Sequence, residues 1–109
     1  MSEEAAAAGA GFSFEPAGPA RFAVRGAMTF ATAAQLHAAG LQALSASTDA
    51  ALELDCSRVS AADSAGLAVL VDWLAWARRS GRRLRLVSVP RKLVDIARIS
   101  ELDELIAPA

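Results

Sequence analysis

Asp55-Cys56-Ser57-Arg58-Val59-Ser60-Ala61-Ala62-Asp63-Ser64-Ala65-Gly66-Leu67 is the stretch that decides how this chain folds. Upstream of it, Ala50 to Cys56 alternates as a strand does, with Leu52, Leu54 and Cys56 on one face and Glu53 and Asp55 on the other. Two buried acids on one face would be costly. Asp55 is therefore expected near the strand's end, bonding to backbone in the loop that follows. Asp63 then stands where a helix begins, and an acidic N-cap before small residues is a strong start signal. Leu67, Leu70, Val71 and Leu74 follow the i, i+3, i+4, i+7 spacing of a helix from Ser64 to Ser80. Gly81 terminates it.

Working outward, Phe12 to Glu15 and Arg21 to Gly26 alternate on either side of a Pro16–Pro19 turn, which predicts a hairpin. Thr29 and Thr32 are both candidate caps for an Ala-rich helix carrying Leu36, Leu41 and Leu44. Leu84 to Val89 reads as a strand. Pro90 suits the first turn of the next helix, whose apolar side is Leu93, Ile96, Ala97 and Ile99. Ser100 can cap a last helix, Glu101 to Ile106, with Leu102, Leu105 and Ile106 inward. The order is β-β-α-β-α-β-α-α. That order predicts an α/β fold: a mixed sheet of four or five strands, partly parallel, with helices mainly on one face. One domain is expected over 12–107, and 1–11 reads as a disordered tail.

The chain has 109 residues, 54% hydrophobic and 21% charged, enough for one core. Its formal charge of −1, from 11 basic and 12 acidic residues, provides no field for nucleic acid or an anionic membrane. Arg78, Arg79, Arg82, Arg83 and Arg85 cluster at a predicted helix end and turn, where cations cap a helix C-terminus. Cys56 is the lone cysteine and His37 the lone histidine, so neither a disulfide nor a metal site is expected. A reducing, cytoplasmic setting fits. Met1-Ser2-Glu3-Glu4 does not read as a secretory signal, and no apolar run is long enough to span a membrane.

Two readings of Asp63-Ser64 stand side by side. In one it is only a helix start. In the other, the unpaired first-turn N–H groups and the small residues Ala65 and Gly66 leave a surface that a partner can approach closely. A nucleophilic serine is disfavoured, because the motif is not Gly-x-Ser-x-Gly and His37 would be the sole base. No Gly-rich loop ends in Lys-Ser or Lys-Thr, so there is no phosphate loop. No cofactor is implied. On the long helix, Val69 and Trp76 fall opposite the Leu face and are candidate contacts. Trp73 is expected to pack on the Thr32 helix, and for Trp76 both packing and contact stay open.

The strand ending Asp55-Cys56-Ser57, the Asp63-Ser64-Ala65-Gly66-Leu67 motif, Arg82-Arg83-Leu84-Arg85-Leu86-Val87 and the closing Leu93–Ile106 together resemble the STAS domain. The resemblance runs from about residue 12 to residue 107. It implies a non-enzymatic protein that works by docking. Ser64 would be a phosphoacceptor or part of the contact. Asp63, Ala65, Gly66, Thr32, His37, Val69 and Trp76 would complete the partner surface. Within the family, Ser57-Arg58-Val59-Ser60, Val89-Pro90 and Ile99–Ile106 look MlaB-like, which implies an ATPase partner in a phospholipid-transporting ABC complex at the inner face of the inner membrane. Serine at position 64 is frequent instead among anti-sigma factor antagonists, whose partner is an anti-sigma factor kinase.

Overall fold

The computed structural model describes residues 7–9 and 11–106. The strands are β1 (Ala7–Gly9), β2 (Phe12–Gly18), β3 (Arg21–Met28), β4 (Ala51–Ala62) and β5 (Arg83–Val87). The helices are α1 (Ala33–Ala46), α2 (Ser64–Arg79), α3 (Arg91–Ile99) and α4 (Asp103–Ile106). The five strands form one sheet in the order β1-β2-β3-β4-β5. β1, β2 and β3 run antiparallel, whereas β3–β4 and β4–β5 are parallel pairs bridged by α1 and α2. A parallel pair needs such a crossover, and both helices pack back on the sheet.

Period-two patterning decides which face is covered. Phe12, Phe14, Phe22, Val24, Leu52, Leu54, Cys56 and Leu86 point inward and are buried. Ser13, Glu15, Arg21, Arg25, Glu53, Asp55, Arg83 and Arg85 alternate with them on the uncovered face. The mixed sheet with one helical face therefore agrees with the expectation from sequence. Ala7–Gly9, inside the stretch read as a tail, adds a strand at the β2 edge.

Several elements differ from expectation in extent: β2 runs on to Gly18 and β3 to Met28, and β5 stops at Val87 short of Val89. β4 runs on to Ala62 where a loop over 57–62 was expected. β5 ends at Val87, opposite Asp55, so the far half of β4 pairs with β3 alone. Its free side meets water, and polar Ser57, Arg58 and Ser60 therefore fit a strand. Asp55 does accept from a following backbone group, the N–H of Ser57 at 2.9 Å, but within the strand. α4 starts at Asp103 rather than Glu101, because Glu101 is left-handed with φ 61°.

α2 is the central helix, touching α1, α3, α4 and three strands. Its buried residues are Gly66, Leu67, Val69, Leu70, Trp73 and Ala77. Trp73 is fully buried against α1, as expected, and its Nε1 donates to the His37 carbonyl at 3.2 Å. Gly40 makes this possible, since a Cβ there would overlap the indole ring. The ring also meets Phe14 edge-on, with centroids 5.2 Å apart. Ile99 lies outside, 83% exposed, because the α3 stripe through Leu93, Ile96 and Ala97 next falls near residue 100. Leu105, expected inward, is exposed as well.

Candidate docking site at the start of helix α2

Asp63 is the N-cap of α2, with extended backbone at φ −146°. Its Oδ1 accepts from the N–H of Ala65 at 2.9 Å and of Gly66 at 3.2 Å. Its Oδ2 accepts from the N–H of Phe30 at 3.0 Å, in the loop between β3 and α1. One carboxylate thus caps a helix and ties it to a neighbouring loop. The Phe30 N–H is the largest influence holding this carboxyl below its ordinary pKa. The Gly66 and Ala65 N–H groups and the charge of Lys92 act the same way, and burial opposes them.

The start of α2 is also clamped to the end of β3. The Asp63 N–H donates to the Met28 carbonyl at 3.2 Å. Gly66 lies so close to that same carbonyl that a Cβ would collide with it. Gly66 is therefore buried and serves packing, not partner contact.

Ser64 follows, exposed, and its hydroxyl has no hydrogen-bond partner among the described residues. Phe30, whose N–H is bonded to the neighbouring Asp63, is 86% exposed, the most exposed large hydrophobic residue among those described. The Phe30 loop is held from both ends. Asp63 takes its N–H, and the Thr32 Oγ1 accepts from the Thr29 N–H at 3.0 Å and donates to the Ala27 carbonyl at 2.8 Å. A pinned loop presenting a bare aromatic ring is preorganised for contact. Sequence reading missed Phe30, because a Phe just past a strand reads as core; its flanking threonines were the available signal.

The remaining candidates disperse. Thr32 is only 5% exposed, with its hydroxyl spent inside the loop, so it offers no contact surface and does not cap α1 by its side chain. Val69 is 5% exposed, because the buried side of α2 is centred on Gly66, Leu70, Trp73 and Ala77 and reaches round to it, while Ala68 and Asp72 stay exposed. His37 is partly exposed on α1, with Nε2 3.4 Å from Asp72 Oδ2. Asp72 is two turns along α2 from Ser64, roughly 12 Å, so His37 is engaged away from the serine. Trp76 is partly buried at the far end of α2, roughly 18 Å from Ser64. The Arg82 guanidinium lies 5.3 Å from its ring centroid and donates to the Leu44 carbonyl at 3.2 Å. That contact cements α2 to the end of α1. What the fold brings together is Asp63, Ser64 and Ala65 with Phe30.

A mixed sheet with helices on one face and an exposed serine at the start of the central helix is a STAS-type architecture. The family model described as the Mlab STAS domain matches residues 15–107, and the chain belongs to that family. Among solved structures it is similar to the anti-sigma factor antagonist SpoIIAA in its unphosphorylated form, with a TM-score of 0.67 and 17% identity over 90% of this chain and 87% of that one. It is also similar to SLC26A9, with a TM-score of 0.63 and 17% identity over 77% of this chain. There the similarity spans only 16% of the longer protein. Comparison with curated protein sequences gives no match. No helix among the described residues is long and apolar enough to cross a membrane.

Proposed function

We propose that this chain is a non-catalytic docking subunit that binds the ATPase of a phospholipid-transporting ABC complex, one that maintains outer-membrane lipid asymmetry. Membership of the Mlab STAS family over residues 15–107 is the observation that carries this reading. The contact is the start of α2, with Ser64 as a hydroxyl able to donate or accept and Phe30 as an apolar anchor. His37, on α1 against Asp72, and Trp76, at the far end of α2, lie too far from Ser64 to share the centre of that contact. The chain stabilises the assembled ATPase by binding that state preferentially, so its effect scales with its own concentration over Kd. It works in the cytoplasm, held at the inner face of the inner membrane through its partner.

A second reading has its own support. Ser64 is exposed at the start of α2, and the fold is similar to an anti-sigma factor antagonist named by its phosphorylation state. Here Ser64 would be a phosphoacceptor for a kinase-like anti-sigma factor. A phosphate would add up to about two negative charges beside Asp63.

Affinity capture from the native cell, followed by mass spectrometry of captured proteins and of Ser64, separates the two. Recovery of an ABC ATPase, reduced by Ser64→Asp, is the expected result. Recovery of a kinase-like anti-sigma factor with phosphate on Ser64 would overturn it and establish the second reading.

A further inference from the structure

The helices leave the other face of the sheet open, and one end of that face carries an uneven charge. Arg21 on β3 stands opposite Glu53 on β4, and Glu53 stands opposite Arg85 on β5. Arg83 stands opposite Ala51. Adjacent strands are about 4.8 Å apart, so the row Arg21-Glu53-Arg85 spans about 10 Å. These residues line a hollow of about 590 Å³, with small Ala20 and Ala51 also in its wall.

Glu53 pairs with Arg21 at 3.2 Å. Arg83 and Arg85 make no ion pair among the described residues. Three guanidiniums therefore face one carboxylate, an excess of two positive charges. The next acid on this face, Asp55, accepts from the Ser57 N–H and lines an adjoining hollow. The rim is held in a costly conformation: Ala20 is left-handed at φ 58°, and its carbonyl accepts from the Glu53 N–H at 2.9 Å.

We propose that this hollow binds a phosphate-bearing ligand, with Arg83 and Arg85 as its donors and Arg21, held by Glu53, at its edge. A carboxylate carries one charge in one plane and is satisfied by a single guanidinium fork. A phosphate carries close to two charges on several oxygens and suits donors converging from separate side chains. Arginines on an edge strand also deter strand pairing between molecules. That role asks for no hollow and gives no ligand response, so experiment separates the two.

The full chain is titrated with inorganic pyrophosphate by calorimetry. It is also floated with vesicles of phosphatidic acid in phosphatidylcholine, against phosphatidylcholine alone. Arg83→Gln/Arg85→Gln is compared with Arg79→Gln, an exposed arginine at the end of α2, and thermal melts check that both variants fold. Saturable pyrophosphate binding weakened at least tenfold by the double change, and not by Arg79→Gln, supports a free phosphate ligand. The same pattern confined to phosphatidic acid vesicles supports a lipid headgroup. Absence of both, or equal loss with Arg79→Gln, overturns the proposal.

Discussion

Replacing Asp63 with alanine removes three hydrogen bonds held by one side chain, to the N–H groups of Ala65, Gly66 and Phe30. Loss of an N-cap costs about 1 kcal/mol. The bond to Phe30 joins two elements and is charge-assisted, so it adds about 1 kcal/mol more at a partly exposed site. Together that is about 2 kcal/mol, which in a domain of this size lowers Tm by roughly 8–16 °C. Urea unfolding followed by tryptophan fluorescence reads it well, because Trp73 is fully buried in the native state. Asp63→Asn keeps an acceptor oxygen at the cap and is expected to recover at least half of the loss. A melt for Asp63→Ala within about 2 °C of wild type would refute the idea that this carboxylate joins α2 to the Phe30 loop.

The folded carboxyl of Asp63 sits below its ordinary value. Its contribution is therefore present above the unfolded pKa near 3.9 and is lost as pH falls through the lower folded value. The stability gap between wild type and Asp63→Asn should shrink below about pH 4, and urea midpoints across pH would show it. Gly66→Ala drives a Cβ into the Met28 carbonyl; overpacking of about 3 kcal/mol outweighs a helix-propensity gain of about 1, for a net loss near 2 by the same assay. Burial, with the Asp55 charge adding to it, pushes the Cys56 thiol up to about 12. A thiol reagent at mildly alkaline pH should therefore label Cys56 only as fast as the chain unfolds, and prompt labelling of the native protein would contradict this.

The sheet was legible because alternation was clean where one face is covered: Phe12/Phe14, Phe22/Val24 and Leu52/Leu54 all point inward. The Asp63 cap was legible for a similar reason, since capping is local chemistry. Features that depend on tertiary neighbours were not. The polar half of β4 looked like a loop because its free side results from where β5 stops. Val69 looked exposed because α2 is apolar nearly all round, and periodicity cannot say that its buried side is centred on Gly66, Leu70, Trp73 and Ala77 and reaches round to Val69. Thr32 looked like a cap and contact residue, whereas its hydroxyl closes the loop that holds Phe30 out. Phe30 itself could be placed only once Asp63 was seen to take its N–H.

The most direct test of the central claim is the affinity of the purified ATPase subunit for wild type, Phe30→Ala, Ser64→Asp and Arg79→Gln, measured by interferometry. Docking through the start of α2 predicts that Phe30→Ala and Ser64→Asp each weaken binding at least tenfold, about 1.4 kcal/mol, while Arg79→Gln binds as wild type. Equal affinity for all four proteins would contradict it.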